Sequence, residues 1–141
     1  MFKNLLLAVD VNDKGGATKC AQAASSMAQS EGATLHVLNV VPDSGMAIVG
    51  ASLSADLSTK VMEQAKADLQ AWAEAAMPGD INVQLHVSRG TVYDQIIKAA
   101  ESLKVDAIFV GAHRPELKDY LMGPNAARVA RHAPQSVFVI R

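Results

Sequence analysis

Aromatic side chains are scarce in this chain, at 4% of its 141 residues, and charged ones make up only 19%. There is one cysteine, Cys20, which excludes an intramolecular disulfide and a cysteine-rich zinc site. Its plain reading is a small buried residue on a helix face. Thirteen basic and fourteen acidic residues nearly cancel, to a formal −1. That removes the electrostatic footprint of a general nucleic-acid binder, which needs many unopposed Lys and Arg to displace counterions. No stretch approaches the roughly 18–20 apolar residues of a membrane span. The apolar N-terminal run is stopped by Asp10, with no small-residue cleavage site after it. The expectation is a protein that is not membrane-inserted and does not bind nucleic acid, with the cytoplasm as its compartment.

What the chain does have is hydrophobicity of one kind. Half of its residues are apolar, and alanine, valine and leucine carry that half. This suits small-faced helices packed closely on a sheet of branched residues, and it argues against intrinsic disorder. A chain of this size should keep roughly 7,000 Å² of surface when folded, against roughly 21,600 Å² unfolded. That is enough burial for one good core and not two, so residues 1–141 read as one domain.

Short branched runs alternate with helical patterns. Leu5 to Val9 reads as a buried strand ending in Asp10, and Ala17, Cys20, Ala21, Ala24 and Ala28 then recur at helical spacing until Gly32. Ala33 to Val41 is a second strand, closed by Pro42. Residues 42–57 read as a long connection, and its apolar stretch Met46 to Val49 either meets a partner or covers a sheet edge. Val61, Ala65, Leu69, Trp72 and Ala76 form one helical stripe, ended by Pro78 and Gly79. Ile81 to Val87 alternates, as a strand near an edge does. After Gly90, Thr91 to Asp94 looks like a capping box opening a third helix. Val105 to Val110 is a central strand, followed by a loop from Gly111, a helix over about Gly123 to His132, and a last strand, Ser136 to Ile140.

This alternation predicts an α/β fold: one open, five-stranded parallel sheet with helices on both faces, in the order 3-2-1-4-5. Ligands of such sheets sit beyond the carboxyl ends of the strands where the order reverses, here between strands one and four. Asp10 and Gly111 leave those two strands, with Val41 and Gly90 nearby. Gly111 and Gly123 bracket a loop that ends at a helix N-terminus. That pattern reads either as a phosphate site or as a turn glycine plus a helix cap. Residues 111–141 hold five basic and two acidic residues, a local +3 that leaves −4 for the remainder. An anion site or a solvated face would each account for Arg128 and Arg131.

Over essentially its whole length the chain resembles the universal stress protein family. The shared residues are Ala-Val-Asp10, Leu-Asn-Val-Val41, Gly90, the Gly111 loop and Ser-Val-Phe-Val-Ile140. The resemblance implies a Rossmann-like fold of the adenine nucleotide alpha hydrolase type. Many family members bind ATP through Gly-x2-Gly-x9-Gly-[Ser/Thr]. This sequence departs from that motif: Arg114 stands at the second glycine, the spacer to Gly123 is one residue shorter, and Pro124 replaces the hydroxyl residue. His113-Arg114-Pro115 and Gly123-x-Asn125-Ala126 instead look like a subgroup with His-Arg-Pro and Gly-Ser-Asn-Ala. Pro124 removes a backbone donor and a hydroxyl yet suits a helix's first turn, while Arg114 adds a fork for phosphate. The resemblance implies ATP with Mg²⁺ as ligand. Asp10 would bond ribose or adenine and Val41 would contact adenine. Gly90 would shape the rim, and Gly111, His113, Arg114, Gly123, Pro124 and Asn125 would surround the phosphates. Asp10 alternatively caps the strand exit, and His113 alternatively is a surface loop residue.

No catalytic constellation emerges. A phosphate-binding P-loop and a serine nucleophile elbow are both missing, and the four histidines, His36, His86, His113 and His132, lack metal-ligand spacing. His36 and His86 fall on predicted strands and read as structural. The first expectation is a nucleotide-binding regulatory protein of the stress response, with at most weak ATP hydrolysis. The alternatives are a scaffold acting on a partner such as a membrane transporter, and a slow ATPase. The final strand, Val137, Phe138, Val139 and Ile140, is apolar and falls at a sheet edge. The family pairs across this strand, so a two-fold homodimer, or a higher oligomer built on it, is expected.

Overall fold

The computed structural model describes residues 1–43, 51–112 and 123–141. Five strands, β1 (Asn4–Val9), β2 (Thr34–Val41), β3 (Asn82–Arg89), β4 (Ala107–Gly111) and β5 (Ser136–Ile140), alternate with four helices. The helices are α1 (Lys14–Glu31), α2 (Ala51–Ala76), α3 (Val92–Ser102) and α4 (Gly123–His132). The strands are all parallel, in the order β3-β2-β1-β4-β5 that the sequence predicts.

The three leucines of β1 show why the central strands read as unbroken apolar runs. Leu5 and Leu7 point into the layer under α1 and α2, Leu6 into the layer under α3, and all three are fully buried. The edge strand β3 is half-exposed, as its alternation predicts. On the first face, α1 presents Ala17, Cys20, Ala21, Ala24 and Ala28, short side chains that let the helix lie close over β1 and β4. All three phenylalanines meet there. Phe109 stacks on Phe138 at 4.7 Å between centroids, and Phe2 meets Phe138 edge-on at 6.2 Å. On the second face, Ile96, Ala100, Ile108, Val110 and Val129 form the core between the sheet and the α3–α4 pair.

Two local expectations differ from the structure. The connection expected over residues 42–57 is shorter, because α2 already begins at Ala51. The apolar stretch Met46 to Val49 lies outside the described residues. At Thr91 the expected capping box does not form. Thr91 is the N-cap, but its side chain makes no capping hydrogen bond. Asp94 is one methylene shorter than the Glu or Gln such a box uses, and it pairs instead with Lys98 at 2.9 Å.

Among the described residues no helix is long and apolar enough to cross a membrane.

Candidate functional site

The order of the strands reverses between β1 and β4, and Asp10 and Gly111 stand at those two exits. Asp10 closes the turn into α1. Its Oδ1 accepts from the N–H of Asn12 at 3.0 Å, and its carbonyl accepts from Asp13 at 3.0 Å. Asp13 in turn caps α1, its Oδ1 accepting from Gly16 at 3.2 Å. The strand-exit role that the sequence left open for Asp10 is therefore present. The half-buried Asp10 also lines a small cavity on the α3 face, walled by Ala8, Leu38, Val40, Val92 and Ile96. The walls are aliphatic. The cavity measures about 10 Å³, room for one water molecule at most.

Val41 ends β2, and its carbonyl accepts from the Gly90 N–H at 3.0 Å, so the exits of β2 and β3 are tied together. Gly90 has φ +145°, and a Cβ there would stand 2.8 Å from Gln95 Nε2. Only glycine turns the chain from β3 into α3 at this point. Arg89, the residue before it, pairs through Nε with Asp43 at 3.0 Å and donates from Nη1 to Ser58 Oγ, joining the end of β2 to α2.

Gly111 has a different reason to be glycine. An added Cβ would lie 3.3 Å from Cys20 Sγ on α1, so the close approach on that side comes from the helix. Cys20 is buried as expected. Burial, with a smaller contribution from the charge of Asp13, pushes its thiol up to about 11, so it stays protonated at neutral pH.

Gly123 and Pro124 open α4, with Pro124 in the first turn where its missing N–H breaks no internal bond. That first turn carries no acidic residue, so nothing there offsets the positive end of the helix dipole. Asn125 reaches across to α3: its Oδ1 accepts from the Tyr93 N–H at 2.9 Å. The donor that Thr91 leaves unsatisfied is thus bonded from a neighbouring helix, and the starts of α3 and α4 are locked side by side. Arg128 of α4 stacks 5.1 Å above the Tyr93 ring, which gives this basic residue a packing role. Tyr93 was not singled out in the sequence, although an aromatic three residues past Gly90 in so aromatic-poor a chain was a usable signal. His113 and Arg114 lie outside the described residues.

His36 and His86 come together on the α3 face. Nδ1 of His36 lies 2.9 Å from Nε2 of His86, with ring centroids 5.1 Å apart. Burial holds both below the usual imidazole value, and His86 adds its own charge against His36. Among the described residues no group of three His, Cys, Asp or Glu side chains is placed to hold a metal ion.

The model of the universal stress protein family matches residues 1–141. The chain belongs to that family. It is 30% identical to universal stress protein G of Escherichia coli O157:H7, with the alignment covering all of both chains. Among solved structures, universal stress protein UspA from Lactobacillus plantarum is 27% identical with a TM-score of 0.71, over 99% of this chain and 97% of that one. A universal stress protein solved in complex with cAMP is 17% identical with a TM-score of 0.62, over 99% and 97% of the two chains. This last likeness is one of fold. This universal stress protein therefore shares its fold with one that was solved in complex with cAMP.

Proposed function

We propose that this stress protein binds an adenine nucleotide, ATP with Mg²⁺, at the crevice between the exits of β1 and β4, and acts as a nucleotide-dependent regulator in the cytoplasm. The observation that supports the reading is that the Asp10 turn meets the N-terminus of α3, at the cavity it shares with Val92, and that this N-terminus is bonded to that of α4. The α4 N-terminus has no acid in its first turn to offset its dipole. In this reading Asp10 bonds the ribose or adenine and Val41 contacts adenine against aliphatic walls. Gly90 shapes the rim, and Gly111, His113, Arg114, Gly123, Pro124 and Asn125 surround the phosphates. The base needs more room than the cavity beside Asp10 offers, so binding entails a local opening of the β1–α3 packing. The metal ion fits as a phosphate-bound ion, since the described residues form no cage for it.

In this reading the protein holds ATP without turning it over, a role that needs neither a positioned base nor an attacking water. Calorimetry with magnesium and ATP tests this. Saturable binding in the micromolar range is expected, and a dissociation constant above about 1 mM would overturn it. Mass spectrometry of small molecules released from the purified protein would identify the nucleotide carried.

We also propose a homodimer through β5. Val139 of that edge strand is 42% exposed, and unprotected apolar edges pair with other chains.

A further inference from the structure

The two faces of the sheet are closed differently. On one, α3 and α4 pack against each other and exchange the Asn125–Tyr93 and Arg128–Tyr93 contacts. On the other, α1 and α2 lie over β1–β4 and β2–β3 respectively and share a core through Leu69 and the alanines of α1, but part toward the surface. Between them runs a groove of about 770 Å³. That is within the roughly 300–1,000 Å³ of small-molecule sites, and far larger than the cavity beside Asp10. Its apolar wall comes from Val11, Trp72 and the alanines at 71, 75 and 76, residues too short, apart from the indole, to fill the space. Its polar groups are Asn12, Thr18, Gln22 and Asp68. Asp68 is the single charged residue among the described lining, and Gln64 Nε2 donates to its Oδ1 at 2.8 Å, which steadies the carboxylate.

Among the described lining there is one carboxylate, no cation and a half-exposed indole, a set that suits a positive charge better than an anion. An ammonium group is attracted both to a carboxylate and to the face of an indole ring, and an apolar body would cover the alanine wall. We infer that the α1–α2 groove is a second ligand site, distinct from the nucleotide crevice, and that it takes a small organic cation with an aromatic or aliphatic body. The two sites share a border in the chain. Asp10 faces the α3 side, while Val11 and Asn12 line the groove, so the turn after β1 lies between them.

Trp72 is the only tryptophan of the chain, so fluorescence excited selectively at the indole, beyond the absorption of the two tyrosines, reports on this groove. The full-length protein without nucleotide would be titrated with benzyltrimethylammonium, and with benzyl alcohol as the uncharged comparison. Saturable quenching with an apparent Kd below about 1 mM is expected, with benzyl alcohol and the exposed-site variant Asp68→Asn each weaker by about tenfold or more. Ala75→Leu should abolish the signal by filling the slot. Should that variant fail to fold, Asp68→Asn still decides. Three results would each overturn the site: no saturation by about 10 mM cation, equal binding by Asp68→Asn, or equal binding of benzyl alcohol.

Discussion

Asn125 on α4 accepts a hydrogen bond from the backbone of Tyr93 on α3, across 32 residues of sequence and at 2.9 Å. It does for α3 what an N-cap side chain does, from outside the helix. Removing the acceptor in Asn125→Ala should cost about 1 kcal/mol of stability, the usual loss for a cap, read as a lower urea midpoint at unchanged slope. Asn125→Asp keeps an acceptor at the same place and should hold most of that stability. Its negative charge beside the proposed phosphates should nonetheless weaken ATP binding, measured by calorimetry. Equal ATP affinity in the two proteins would remove Asn125 from the phosphate site.

The histidine pair predicts a pH dependence of stability. Both folded values lie below the ordinary 6.5. Between those values and 6.5 the unfolded chain binds protons that the folded chain does not, so stability falls as pH drops. It should be complete above pH 6.5 and decline steadily below it. Urea midpoints at several pH values between 8 and 5 check this. Replacing His86 with Gln should flatten the profile, since burial of that ring is one of its causes.

Gly90→Ala should destabilise by about 1–3 kcal/mol through two separable costs, the positive φ and the clash with Gln95. A Gln95→Ala second change should recover only the clash, because the backbone strain stays. Full recovery in the double variant would show that φ at position 90 is unimportant.

The β5 edge predicts assembly. Light scattering at micromolar concentration should give twice the chain mass, and Val139→Lys, which places a charge on the exposed edge, should give the monomer. A monomeric wild-type mass would remove the dimer.

A good part of the architecture was legible in residues taken in order. The leucine run of β1 and the apolar run of β4 announced strands buried on both faces, and the alternation of β3 announced an edge. Gly32, a left-handed C-cap, stopped α1 where its apolar spacing ended. The start of α2 was less legible, because Ala51 to Ser58 carries Ser and small residues that read as loop as readily as helix. The capping box at Thr91 failed because Asp94 is short for it and pairs with Lys98, while the neighbouring Tyr93 N–H is capped by Asn125 from another helix.

By itself the sequence determined the layered α/β design, the parallel order of the strands and the place where Asp10 and Gly111 leave them, because periodicity and strand crossovers are properties of neighbouring residues. Only the tertiary structure decided what those residues touch. It set Cys20 against Gly111, Asn125 beneath Tyr93 and His36 beside His86, and it left a groove between α1 and α2 on one face while α3 and α4 closed the other. The reason is physical: hydrogen-bond partners and gaps between helices depend on distances between segments far apart in the chain, which no local pattern encodes.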